Sequence, residues 1–132
     1  MTDRELMLLA TKARLNAYAP YSGYKVGAAL MCKNGKVFTG CNIESASFGA
    51  TNCAERTAIF KAVSEGETQF EKIAVVGGKN DLADDCSPCG ICRQVMTEFC
   101  DEDFIVLLGT PDNIKSYKLR EILPLFFTKK NM

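Results

Sequence analysis

Apolar residues near the N-terminus recur at helical spacing: Leu6, Leu9, Ala10, Ala13 and Ala17 fall on one stripe running to about Tyr18. Thr2 and Glu5 ahead of that stripe have the spacing of a capping box, and Pro20 stops the helix. The period then changes. Lys25 to Cys32 and Lys36 to Cys41 flank Asn34-Gly35, a pair that accepts the positive φ of a tight turn, and they predict an antiparallel hairpin. Ile43 to Thr51 is rich in Ser, Ala, Gly and Asn and reads as a loop leading to a helix start near Asn52. Ala54, Ala58 and Ala62, with Ile59 and Val63 beside them, give that helix a narrow face able to lie close against a sheet before it ends near Glu65-Gly66.

Ile73 to Val76 and Phe104 to Leu108 are unbroken apolar runs, as expected of strands covered on both faces and usually parallel. The segment between them predicts a helix with Ser87 as N-cap, Pro88 at its first position, and Ile91, Val95 and Phe99 on its buried face. A weaker strand, Ile114 to Lys118, and a turn of helix, Leu119 to Leu123, precede Pro124 and the Phe126-Phe127 tail. The order α-β-β-α-β-α-β-β(-α) predicts an α/β fold: a mixed sheet with helices on both faces. Ligands in such sheets bind outside the carboxyl ends of strands, where helices begin.

Composition narrows the chemistry. A chain of 132 residues that is 47% hydrophobic suits a single domain over residues 1–132. Sixteen basic residues balance sixteen acidic ones, so neither nucleic acid nor a membrane surface is the expected partner, and a small molecule is. Leu6 to Ala10 is too short for a signal or transmembrane segment, which makes the cytoplasm the expected location. Seven cysteines without an export signal should be reduced thiols, and the complete lack of histidine excludes Ser-His-Asp, Cys-His and mixed Cys/His metal sites. Any metal must be held by cysteine or carboxylate.

Two stretches could supply it: Asn52-Cys53-Ala54-Glu55-Arg56 and Ser87-Pro88-Cys89-Gly90-Ile91-Cys92. Cys89 and Cys92, three apart on a helix, can share one metal, and Cys53, also at a predicted helix start, is the best third ligand. Three thiolates leave Zn²⁺ one open position, the arrangement of a catalytic site. Such a centre carries a net negative charge, and Arg56, on the face of Cys53, could donate to the sulfurs and withdraw part of it. Glu55 would diverge from Cys53 by about 200° in a regular helix, so Cys53 should sit at the cap. A carboxylate beside water held in the open position can do general acid/base work without histidine.

Cys53-Ala54-Glu55 with Pro88-Cys89-Gly90-Ile91-Cys92 resembles the layout of zinc deaminases. Tyr18-Ala19-Pro20-Tyr21-Ser22, Val26-Gly27-Ala28-Ala29, Gly40-Cys41-Asn42-Ile43-Glu44, Cys53 through Ala58 and Pro88 through Gln94 together resemble the short, homotetrameric, three-cysteine cytidine deaminases, in that family's order. The resemblance covers nearly the whole chain. It implies a three-layer α/β/α sandwich on a mixed five-stranded sheet, and zinc-dependent hydrolysis of cytidine and deoxycytidine to uridine and deoxyuridine with release of ammonia. It also implies Glu55 as the catalytic acid/base and Asn42 and Glu44 as the grip on the ribose 3′-hydroxyl. Glu55 and the Ala54 backbone would read the pyrimidine edge, and Tyr24, where the family often has Phe, would flank the base. The Ala46 to Phe48 loop and the tail aromatic Phe127 would reach a neighbouring subunit's site.

Rival readings exist. Cys86 extends the second motif to Cys86-x-x-Cys89-x-x-Cys92, which suits a closed four-cysteine structural zinc site or part of an iron–sulfur run. Cys89 and Cys92 alone suit a redox pair. An iron–sulfur run explains neither Glu55 nor Arg56, a redox pair does not call for Cys53-Ala54-Glu55, and Pro88 directly before Cys89 favours the deaminase register over the four-cysteine site. Cys32, Cys41 and Cys100 read most simply as buried small apolar residues.

Overall fold

The structure, a computed structural model, describes all 132 residues. Helix α1 (Asp3–Arg14) opens on the expected capping box: Thr2 Oγ1 accepts from the Glu5 amide at 3.1 Å and Glu5 Oε1 from the Thr2 amide at 3.3 Å. It stops at Arg14 rather than near Tyr18, because the chain tightens into successive i to i+3 turns and Tyr18 then pairs with Ile43. Strands β1 (Lys25–Cys32) and β2 (Val37–Cys41) form the predicted hairpin, with Gly35 at φ +90° in its turn. Helix α2 (Ala54–Ser64), strand β3 (Phe70–Gly78), helix α3 (Gly90–Phe99), strands β4 (Ile105–Thr110) and β5 (Asn113–Lys118) and helix α4 (Leu119–Ile122) follow.

The five strands make one mixed sheet in the order β2-β1-β3-β4-β5, in which only β3 and β4 run parallel. Their crossover is α3, which completes a βαβ unit. Alternation along the strands builds a core on each face. Ala29, Ala74, Val76 and Leu107 face Leu6, Met7 and Ala10 of α1. Ala28, Leu30, Ile73, Val75, Val106 and Leu108 face the opposite way, toward Ala58 and Ile59 of α2, Met96 of α3 and Leu119 of α4. The result is the expected three-layer α/β/α sandwich.

Two glycines let the helices reach the sheet. A Cβ on Gly27 would lie 2.0 Å from the Ala10 carbonyl oxygen, and one on Gly40 would lie 2.6 Å from that of Ala54. Gly40 therefore fixes how deeply the first turn of α2 sits, the turn that carries the first cysteine motif.

The third helix departs from the sequence reading. Its N-cap is Cys89, so Ser87 and Pro88 lie outside it, and the Cys89 sulfur accepts from the Cys92 amide at 3.5 Å in the place of a capping hydroxyl. Its buried residues are Cys92 and Met96; Val95 and Phe99 are half-buried, and Ile91 is 62% exposed. The docked face is set by where Cys92 must point, which rotates Ile91 outward. Cys32 is buried as expected, while Cys41 and Cys100 are only partly so.

Candidate active site

Helices α2 and α3 each begin with a cysteine at the N-cap, Cys53 and Cys89. Free backbone N–H groups and the helix dipole favour thiolates at such positions. Cys92 follows in the first turn of α3, fully buried. The three Sγ atoms lie within 4.8 Å of one another, with Cys53 and Cys89 3.7 Å apart, and all three thiols are free. Tetrahedral zinc with bonds of about 2.3 Å to sulfur requires sulfurs about 3.8 Å apart. The cluster fits Zn²⁺, with soft thiolate donors and room for one further ligand. Cys86 is not part of this cluster: its sulfur sits over Gly77, where a Cβ would be 2.5 Å from it, beside the Tyr24 ring.

Without metal the sulfurs share protons unequally. A hydrogen bond from the Cys92 thiol, more than the field and hydrogen bond of Arg56, pulls Cys53 down to about 5. The same bond and burial push Cys92 up, as the donor of the pair. Arg56 Nη2 donates to Cys53 Sγ at 3.4 Å, and its Nε is buried with no hydrogen-bond partner. A guanidinium held this way, half-satisfied by protein groups, matches a site whose sulfurs carry negative charge.

Glu55, in the first turn of α2, is 3% exposed. Burial, reinforced by the Cys53 charge, pushes its carboxyl up to about 7. Ala54 beside it is fully buried. The turn is braced from below: Thr57 Oγ1 donates to the Cys53 carbonyl at 3.2 Å and accepts from Asn52 Nδ2 at 3.0 Å. The approach segment is stitched too, since Ile43 pairs with both Tyr18 and Asn52.

Asn42, 9% exposed, bonds to backbone on both sides: Oδ1 accepts from Val26 N and Nδ2 donates to Tyr24 O, each at 2.8 Å. One N–H and one lone pair remain for a ligand. Glu44 Oε1 accepts from the Tyr21 and Ser22 amides at 2.9 and 3.1 Å, and Oε2 accepts from Ser22 Oγ; that hydroxyl above all holds its carboxyl below the usual range. Glu44 and Phe48 line a cleft of about 280 Å³ with Tyr21, Ser22, Ser45 and Thr51. Ala46 is exposed, Phe48 is 77% exposed and Phe127 59%. A larger hollow of about 680 Å³, between residues 97–103 and the tail, contains none of the predicted site residues.

Sequence reading gave no role to Arg93, Gln94 or Arg14. Arg93 Nε donates to Pro88 O at 2.7 Å and Nη1 to Ile122 O, and Gln94 Nε2 donates to Phe127 O at 2.8 Å, so α3 fastens both the second cysteine motif and the tail. Their adjacency to Cys92 was the available signal. For Arg14 it was the position, four residues after Ala10 on the buried face of α1.

The family model described as the cytidine and deoxycytidylate deaminase zinc-binding region matches residues 1–108. A cytidine deaminase of Halalkalibacterium halodurans is 49% identical, over 98% of either chain. The crystal structure of a cytidine deaminase from Burkholderia pseudomallei superposes with a TM-score of 0.88 at 45% identity, covering 96% of this chain and 100% of that one. A blasticidin-S deaminase of Bacillus cereus is 30% identical over 96% of this chain and 93% of its own.

Proposed function

We propose that this chain, which belongs to the cytidine and deoxycytidylate deaminase family, hydrolyses cytidine and deoxycytidine to uridine and deoxyuridine with release of ammonia, a step of pyrimidine salvage. One observation carries the mechanism: a buried carboxyl, Glu55, in the first turn of the helix capped by Cys53, whose sulfur converges with those of Cys89 and Cys92 in a protein without histidine. Cys53, Cys89 and Cys92 hold the zinc, and Arg56 draws charge from the thiolates. Zinc in that position supplies a Lewis acid that makes water acidic enough to react near neutral pH.

The Glu55 carboxylate accepts one proton from water and passes it to ring N3 as the water oxygen bonds to C4. It then accepts the hydroxyl proton of the tetrahedral adduct and gives it to the exocyclic nitrogen. The C4–N bond breaks, ammonia leaves, and the carbonyl of uridine forms. Burial, which favours the neutral carboxyl, helps Glu55 hold the proton between the two transfers. The Ala54 backbone and Glu55 read the pyrimidine edge, and Tyr24 flanks the ring. Asn42, with one donor and one acceptor to spare, and Glu44, at the cleft, take the ribose 3′-hydroxyl.

The active unit is a single domain over residues 1–132 that assembles as a homotetramer with shared sites. The exposure of Phe48 and Phe127 supports this, since partner chains would cover both, with Ala46 and Phe48 on one side and Phe127 on the other. No helix is long and apolar enough to cross a membrane, and with seven free thiols the cytoplasm is the compartment we assign.

The deciding experiment follows loss of cytidine absorbance with purified zinc-loaded protein and its Glu55→Gln variant. Turnover by the wild type and its near-complete loss in the variant, with zinc retained, is the expected result. A flat wild-type trace with zinc bound would favour a non-enzymatic zinc-binding domain. Turnover of blasticidin S but not cytidine would reassign the substrate while keeping the chemistry.

A further inference from the structure

Arg14 is a buried cation that the proposed chemistry does not use. It is 9% exposed and makes no ion pair. Backbone carbonyls hold it instead: Nε donates to Lys25 O at 3.0 Å, and Nη2 to Gly78 O at 2.7 Å and Asn80 O at 3.0 Å. A buried guanidinium is costly unless its donors are matched, and its planar fork suits several fixed acceptors at once.

Those acceptors lie on two segments that lead to predicted site residues. Lys25 starts β1 directly after Tyr24, and it pairs in register with Gly78 at the end of β3. Gly78 closes β3, and Asn80 lies at the beginning of the irregular stretch 79–89, which leads to Cys89. Side chains anchor that stretch at points, with Leu82 on the α1 core, Cys86 on the opposite core, Pro88 buried and Asp85 3.6 Å from Lys115, but its backbone is sparsely bonded. Its amides make a single backbone hydrogen bond, Ala83 N to Gly77 O at 2.7 Å. It otherwise folds back over the bare backbone of β3, where a Cβ on Gly78 would lie 2.0 Å from Asp81 O and one on Gly77 would lie 2.5 Å from Cys86 Sγ. The guanidinium is near enough for its charge to oppose, in part, the upward push that burial gives the Tyr24 hydroxyl and the Cys86 thiol.

We infer that Arg14 is a positioning residue, clamping the start of β1 to the loop that carries Cys89 so that the Tyr24 wall and the second cysteine motif keep a fixed spacing. The clamp works on the closing residue of the sheet and the first turn of the loop, while Arg93 works on Pro88 at the other end. Loss of it frees the stretch between. This inference rests on reading Cys53, Cys89 and Cys92 as the zinc ligands.

Its test compares Arg14→Gln and Arg14→Lys with the wild type and with Leu6→Val, a control on the same helix that thins the α1 core, against which Leu82 of the loop also packs, and leaves the guanidinium's hydrogen bonds in place. Zinc release to a chromophoric chelator and amide hydrogen exchange over residues 79–89 are measured beside thermal unfolding. Arg14→Gln should release zinc on the order of tenfold faster, the scale for residues that orient metal ligands. Arg14→Lys, which keeps the charge and loses the fork, should fall between. Both should speed exchange in 79–89 more than in β1 or α2, and should raise KM for cytidine more than they lower kcat. Leu6→Val should lower the unfolding temperature without changing zinc release. Zinc release that follows unfolding temperature alike in all variants overturns the inference, as does an unchanged rate in Arg14→Lys should Arg14→Gln fail to fold. A wild type that binds no zinc overturns the site reading itself, an outcome separable from the first because it appears before any variant is made.

Discussion

At the scale of single residues, the proton and the metal divide between neighbours. General acid/base groups contribute roughly 10²- to 10⁴-fold in rate. Glu55→Gln should therefore lower kcat by at least about 10²-fold while zinc content, read by atomic absorption, stays at wild-type level. Replacing Cys53, Cys89 or Cys92 by Ala should abolish zinc binding, and Cys86→Ala should leave it intact, because the Cys86 sulfur rests on Gly77 outside the cluster. The same thiol has a distinct pH signature. Burial pushes Cys86 up to about 11 from an ordinary value of 9.0, so below pH 9 its thiolate fraction is about a hundredfold smaller than that of an unperturbed cysteine. Mass-spectrometric timing of iodoacetamide labelling of zinc-stripped protein at pH 8 should find Cys86 slower by that order and accelerating as pH rises toward 11.

At the scale of elements, the helices lie where glycine permits. Gly27→Ala forces a Cβ against the Ala10 carbonyl of α1, and should cost about 1–3 kcal/mol in denaturant titration as strained overpacking. Gly90→Ala, at the first position of α3 with open space around the new Cβ, should be neutral or stabilise by up to about 1 kcal/mol. Asn42 acts between elements, since its side chain closes the gap between β1 and the segment after β2. Asn42→Ala leaves the Val26 amide and Tyr24 carbonyl without that partner, and should destabilise by about 1–3 kcal/mol apart from any rise in KM.

At the scale of the whole molecule, the sheet brings two helix starts to one point. α2 follows β2 and α3 follows β3, and β1 separates those two strands in the sheet, yet the Cys53 and Cys89 sulfurs meet at 3.7 Å. Zinc that binds only this folded arrangement stabilises it by mass action. Stripping it with a strong chelator should lower the unfolding temperature, and adding zinc back should restore it, whereas magnesium should not, since thiolates select the softer ion. Sizing by native mass spectrometry should return four chains, with Phe127→Ala weakening the assembly.

Sequence alone determined the ingredients. The hairpin turn at Asn34-Gly35, the capping box of Thr2 and Glu5 and the two cysteine motifs are local, because turn chemistry and helix capping act between residues a few positions apart. The absence of histidine left thiolate and carboxylate as the only strong metal ligands. Tertiary structure decided what depends on distant partners. It turned Ile91 to solvent and Cys92 inward, because the docked face of α3 is chosen by the sheet and by the sulfurs it must meet. It closed the Cys53, Cys89 and Cys92 triangle while leaving Cys86 outside, although all three second-motif cysteines have the same spacing along the chain. It also buried Arg14 against three carbonyls from β1, β3 and the loop beyond. A cation on an apolar stripe gives no hint of that network, because its acceptors lie 11 to 66 residues away and meet it only when the sheet is assembled.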